Sequence, residues 1–174
     1  MSRRMYIMRK LSFIIRRFLG YFQKIRFITE AAVIASVYAA LTIILAPISY
    51  GMIQVRISEA LTILPYFTPA AIPGLFVGCI IANIVGGNGL VDIIFGSLAT
   101  LLAAFLSYKM PKRYLVPVPP IIINAVVVGA VLSYLFELDL LVSMGWVALG
   151  QTVACYGLGY PLLLQLEKHR HRIF

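Results

Sequence analysis

Arg56 and Glu59 stand three residues apart in Tyr50-Gly-Met-Ile-Gln-Val-Arg-Ile-Ser-Glu59, a guanidinium and a carboxylate set in an apolar run. Between them they offer a fork of N–H donors and a pair of acceptor oxygens. An ionised side chain inside a bilayer costs roughly 2.5 to 3.5 kcal/mol even on the mild insertion scale, so it persists where it is paired, faces a cavity or serves a function. Thr62 and Tyr66 continue the same helical face at spacings of three and four. Asn88 and Asp92 form an i, i+4 pair at the start of the fourth apolar segment, Asn83 ends the third, and Gln151 lies about two helical turns into the last. Tyr50 and Gln54 belong to the loop that leads into Arg56, where they could close over a ligand. Amides and carboxylates converging near one membrane face suit a planar, polar, nitrogen-rich ligand, because a carboxylate accepts two parallel N–H bonds and an amide both donates and accepts. A wrong ligand would be rejected by the cost of leaving those buried groups unpaired.

Each of these residues has a second use. Arg56 and Glu59 can simply neutralise each other, and Asp92 can act as a favourable charge at a helix N-terminus. Asn83 can cap the third helix. Asn124 lies in the fifth segment nearer the inner side, where it suits helix-to-helix hydrogen bonding, and Gln151 fits either role.

The elements that must hold these groups are membrane helices. The 174 residues are 61% hydrophobic and 12% charged, against about 45–50% and 25% in soluble domains, and the mean hydropathy is +0.96. Apolar segments fall at about 28–48, 57–68, 70–85, 90–108, 117–136 and 144–166, enough for about six spans of roughly 20 residues. The expected fold is an all-α membrane protein, a bundle of six transmembrane helices with both termini cytoplasmic. The second and third segments are short and carry Pro65, Pro69 and Pro73, so a bent hairpin or tilted pair is expected there. Three regions follow: a basic segment over 1–27, the membrane domain over 28–168, and a basic tail over 169–174.

The formal net charge of +9 is distributed for a membrane rather than for nucleic acid. Eight basic residues precede Thr29, with Met5, Met8, Leu11, Ile15, Leu19 and Phe22 interleaved at helical spacing. This reads as an amphipathic interfacial helix facing anionic lipid, or as a tail that enforces topology. It is not expected to be a cleaved signal, since Arg16 and Arg17 interrupt a short apolar stretch. With that segment inside, the Lys109-Met-Pro-Lys-Arg113 loop and Lys168, Arg170 and Arg172 also fall inside, and Glu137 and Asp139 fall outside. Of fifteen basic residues Arg56 alone breaks the positive-inside pattern.

Several chemistries are excluded. The sequence has no Gly-x-x-x-x-Gly-Lys-Ser/Thr loop, so the chain is not itself an ATPase. His169 and His171 sit together in the basic tail, Cys79 and Cys155 lie in apolar runs without ligand spacing, and Gly86-Gly-Asn-Gly89 is a turn without a surrounding strand-helix unit. Neither an enzyme nor a bound cofactor or metal is expected. On the first span Ala31, Ala35 and Ala39 recur every fourth residue, a stripe that lets a helix approach closely, whether within this bundle or from a partner.

The blocks Ala46-Pro-Ile-Ser-Tyr-Gly-Met-Ile-Gln-Val-Arg-Ile-Ser-Glu-Ala-Leu-Thr-Ile-Leu-Pro65, Ala71-Ile-Pro-Gly-Leu-Phe-Val-Gly-Cys-Ile-Ile-Ala-Asn83 and Asp92-Ile-Ile-Phe-Gly-Ser-Leu-Ala-Thr100 resemble the QueT-type queuosine-precursor transporter family. Pro119-Pro-Ile-Ile-Ile-Asn-Ala125 and Ala148-Leu-Gly-Gln-Thr-Val-Ala-Cys-Tyr156 resemble it too, so the likeness covers about 28–166. The resemblance implies the substrate-binding S component of an energy-coupling factor importer, working with a transmembrane coupling subunit and two cytoplasmic ATPases. It implies 7-cyano- or 7-aminomethyl-7-deazaguanine, or queuine, as substrate, and an alanine-rich first helix, here Ala31, Ala35 and Ala39, docked on the coupling subunit. Glu59 or Asp92 would then accept the ring N–H and exocyclic amine, and Arg56 or an amide would meet the carbonyl. An S component for another vitamin, a self-sufficient secondary carrier or channel, and a membrane-anchored interaction protein are the competing readings.

Overall fold

The computed structural model describes residues 3–49, 56–87 and 89–170, with side chains from Gln23 onward, Ile48 apart. Every regular element among them is helical: α1 (Arg3–Ile44), α2 (Ala46–Ser49), a 3₁₀ helix (Ile57–Tyr66), α3 (Ala71–Gly86), α4 (Gly89–Tyr108), a single 3₁₀ turn (Arg113–Leu115), α5 (Val118–Phe136), α6 (Leu140–Thr152), a π-helical stretch (Val153–Gly159) and α7 (Tyr160–Lys168). Among the described residues four stretches are long and apolar enough to cross a membrane: Gln23–Ile44, Gly89–Tyr108, Arg113–Phe136 and Leu140–Lys168. Ala71–Gly86 is apolar but shorter.

The partition of side chains is that of a membrane protein. Ile44 and Leu90 are each 75% exposed and Leu141 78%, whereas Arg56, Glu59 and Asp92 are no more than 4% exposed. A chain folded in water places such groups the other way round. An all-helical outer surface also leaves no lipid-facing sheet edge whose backbone would go unsatisfied.

Two expectations about the elements change. The basic segment over 1–27 is not a separate helix, because the backbone runs unbroken from Arg3 to Ile44. At 1.5 Å per residue that helix is about 63 Å long, twice the roughly 30 Å hydrocarbon core. The segment at 57–68 is a 3₁₀ helix rather than an α-helix, with Glu59 N–H bonding Arg56 O and Phe67 N–H bonding Leu64 O. Pro65 has no N–H to give an α-helical bond, and Thr62 Oγ1 donates to the Glu59 carbonyl three residues back at 2.6 Å. Ten residues of 3₁₀ helix are unusual, and such runs mark hinges or sites under constraint.

Helix α3 packs on α1 and α4, α4 on α5, and α5 on α6, while the 3₁₀ helix lies against α1, α4 and the π-helical stretch. It is therefore held inside the bundle. Close approach of α1 and α3 depends on glycine, since a Cβ on Gly74 would stand 2.7 Å from the Ala31 carbonyl oxygen and one on Gly78 2.8 Å from that of Ala35. Tyr38, Leu75, Cys79, Ala82 and Ala104 form one apolar cluster. Ile63, Phe67, Val116 and Leu163 form a second, with Tyr66 packed on it rather than on the polar face where the 56, 59, 62, 66 spacing put it. The end of α3, the start of α4 and the turn at 137–139 lie where the sequence places them. Gly87 (φ +68°) ends α3, Gly89 (φ +82°) opens α4, and Asp139 caps α6 by accepting from Leu141 N at 2.9 Å and Val142 N at 3.1 Å.

Candidate functional site

The 3₁₀ helix builds the centre of the site. Residues three apart eclipse one another in this geometry, so Arg56 at its N-cap, Glu59 and Thr62 stack in one column, all buried. Arg56 Nη2 pairs with Asp92 Oδ2 at 3.1 Å, joining the head of the 3₁₀ helix to the first turn of α4. Asn83 Nδ2, from the last turns of α3, donates to the Asp92 backbone carbonyl at 3.2 Å. Glu59 takes donors on both oxygens: Tyr38 O–H to Oε1 at 2.5 Å and Asn124 Nδ2 to Oε2 at 3.3 Å. Four elements thus meet on two carboxylates.

The π-helical stretch closes the other side. Cys155 Sγ lies 3.6 Å from the Glu59 carbonyl oxygen, 3.5 Å from Gln151 Oε1 and 3.7 Å from Thr62 Oγ1. Gln151 from the last turn of α6 and Cys155 from the π-helical stretch stand four residues apart and both point inward, and π-helical turns concentrate at functional sites. Cys79 plays the matching part near Asp92, accepting from Asn83 Nδ2 and Thr100 Oγ1, each at 3.5 Å. Both thiols are free and buried, and no group of His, Cys, Asp or Glu among the described residues could hold a metal.

Arg56, Glu59, Asn83, Asp92, Asn124 and Gln151 are all buried and fall into this one network. Tyr50, Gln54 and Asn88 lie outside the described residues. Asn83 does not cap α3, whose C-cap is Gly87; its amide points into the bundle instead. Asn124 does more than join two helices, since the group it meets is Glu59. Tyr38 is the residue the sequence reading missed. Its signal was available, because Ala31, Ala35, Tyr38 and Thr42 follow one another at four, three and four and so share a face of α1.

The alanine stripe faces into the chain. Ala35 and Ala39 are buried and Ala31 is half-buried, with Gly74 and Gly78 of α3 giving the room for contact. The small residues that α1 turns outward are one position along: Ala32, Ser36 and Ala40, flanked by exposed Val33, Val37 and Ile44.

Two acceptor atoms define what the site can do. Asp92 Oδ1 and Asn124 Oδ1 are buried without a hydrogen-bond partner among the described residues. Leaving such an atom unpaired costs about 1–3 kcal/mol, more for a charged group. What both require is a donor. Gly96 keeps space beside the first, for a Cβ there would come 3.2 Å from Asp92 Oδ1. A cleft of about 270 Å³ between α1 and the turn at 67–69, lined by Arg26, Phe27, Glu30 and Thr68 among others, shares no residue with this network. Its Glu30 already accepts from Arg26 at 2.7 Å and Thr68 at 2.8 Å.

The sequence model of the QueT transporter family matches residues 28–168. The queuosine precursor transporter QueT of Lactococcus lactis subsp. cremoris (strain MG1363) is 36% identical over 89 residues, which cover 50% of this chain and 52% of that protein. The match thus spans about half the length of this relative. No solved structure matches the chain. With the family match extending over most of its length, the chain belongs to the QueT transporter family and is a multi-pass integral protein of the plasma membrane.

Proposed function

We propose that this protein is the substrate-binding S component of an ATP-driven energy-coupling factor importer for a queuosine precursor, 7-cyano- or 7-aminomethyl-7-deazaguanine or queuine. The observation that supports the substrate class most strongly is the pair of buried acceptors, Asp92 Oδ1 and Asn124 Oδ1, that have no donor among the described residues. The guanine-like edge of a 7-deazaguanine presents a ring N–H beside an exocyclic amine, which is the donor pattern that a carboxylate and an amide oxygen need. Asp92 Oδ1 takes that edge in this reading, having no donor among the described residues, whereas each Glu59 oxygen already takes one donor and keeps a remaining position for the cationic aminomethyl group. Arg56 holds Asp92 and meets the ring carbonyl, and Asn83 and Gln151 border the ring. Tyr50, Gln54 and Asn88 are further proposed contacts by their place in the sequence beside Arg56 and Asp92.

In this reading the chain crosses the membrane six times with both termini inside. The 3₁₀ helix, about 20 Å long at 2.0 Å per residue, and the 16-residue α3 form the two short crossings. The basic N-terminal part of α1 extends past the inner leaflet, where its anionic headgroups favour it. The coupling subunit would seat on α1, at Ala32, Ser36 and Ala40 rather than at the buried Ala35 and Ala39. The two ATPases supply the energy that the chain cannot.

Reconstituted vesicles test the assignment. Uptake of labelled 7-aminomethyl-7-deazaguanine is expected only when the chain, the coupling subunit, both ATPases and ATP are all present. Uptake by the chain alone without ATP would make it a secondary carrier or channel.

A further inference from the structure

We infer that Tyr38 is a positioning residue of the substrate site, fixing the Glu59 carboxylate from α1; the inference rests on the transport reading above. Tyr38 divides its side chain between two tasks. Its ring belongs to the apolar cluster of Leu75, Cys79, Ala82 and Ala104, a task that phenylalanine would do as well. Its hydroxyl is fully buried, where a polar group is unfavourable unless it is hydrogen-bonded, and it reaches one acceptor, Glu59 Oε1, at 2.5 Å.

The geometry gives that bond a consequence for binding. A carboxylate has about four lone-pair positions, of which Tyr38 and Asn124 occupy one on each oxygen. Two donors from opposite elements fix the plane of the carboxylate and so the direction of the two positions that remain. One turn further along α1 the Thr42 and Ser58 hydroxyls lie 2.6 Å apart, so residues 38 and 42 grip residues 58 and 59 together. The 3₁₀ helix that carries both charges is thereby held by side chains of α1. Gly78 completes the arrangement, since a Cβ there would stand 3.0 Å from Tyr38 Cβ and push the ring away.

Tyr38→Phe keeps the ring and removes the donor. Loss of one hydrogen bond to a charged group is expected to weaken binding of 7-aminomethyl-7-deazaguanine about tenfold, measured by calorimetry on purified protein. Because Tyr38 acts through Glu59, the same change in a Glu59→Gln background is expected to cost no more than about threefold, whereas in an Asp92→Asn background the two factors multiply. A purely structural role would lower affinity equally in every background. Unchanged affinity in Tyr38→Phe, or an equal loss with and without Glu59, overturns the inference. Wild-type protein that binds no deazaguanine overturns the transport reading and this inference with it, an outcome the wild-type titration separates from the others. Should Tyr38→Phe fail to fold, 3-fluorotyrosine placed at position 38 keeps the ring and strengthens the donor. It must shift affinity in the wild-type background more than in Glu59→Gln, and equal affinity overturns the inference.

Discussion

Replacing Asp92 by Asn is expected to weaken binding of a 7-deazaguanine by about a hundredfold, the cost of losing a charge-assisted bond and leaving a buried donor facing another donor. The protein should still fold. An amide has the shape of the carboxylate, and its oxygen can keep the 3.1 Å contact that Asp92 makes with Arg56 Nη2. What the amide cannot do is accept on its other arm, where Asp92 Oδ1 is buried without a partner among the described residues. Glu59→Gln is the comparison that gives this result its meaning. Both Glu59 oxygens have protein donors, and the amide oxygen can still take one of them, so a loss of about tenfold is expected there. Isothermal titration of the two variants beside the wild type reads the ratio directly. A larger loss for Glu59→Gln would transfer the acceptor role to Glu59.

The second large effect separates stability from function. Arg56→Leu leaves Asp92 as a buried uncompensated charge, and breaking one side of a buried pair costs about 3–5 kcal/mol. Replacing both Arg56 and Asp92 by Leu removes the stranded charge, and such apolar replacements are often neutral or stabilising. Thermal unfolding in detergent should therefore find the double variant close to wild type and the single variant far below it. Deazaguanine binding should be absent in both. If the double variant binds, the pair is a structural neutralisation and not part of a ligand site.

The sequence disclosed the membrane class and most of the polar network through simple economics of burial. Arg56, Glu59, Asn83, Asp92, Asn124 and Gln151 are conspicuous because an apolar bundle has few places for them. Hydropathy also located α4 and α5 within a residue or two of their ends, since long apolar runs leave little ambiguity. The helix type at 57–66 was not legible. The α and 3₁₀ forms share their apolar patterning over ten residues, and the choice turns on Pro65, Thr62 and the helices packed around them. Tyr38 was hidden for a related reason. Its place on the inward face with Ala35 and Thr42 was legible, but an aromatic residue in a span reads as packing, and the fold is what brings its hydroxyl to a carboxylate 21 residues away. The alanine stripe had two uses in the sequence, and the glycines at 74 and 78 on a different helix decide how Ala31 and Ala35 are used inside the bundle.

The most direct test of the site is a structure of the protein with 7-aminomethyl-7-deazaguanine bound. The account predicts the ring N–H and exocyclic amine within hydrogen-bond distance of Asp92 Oδ1, with Asn124 Oδ1 satisfied by the same ligand and the Tyr38–Glu59 bond intact. A ligand bound elsewhere, or one that leaves Asp92 Oδ1 unpaired beside an undisturbed Arg56, would contradict it.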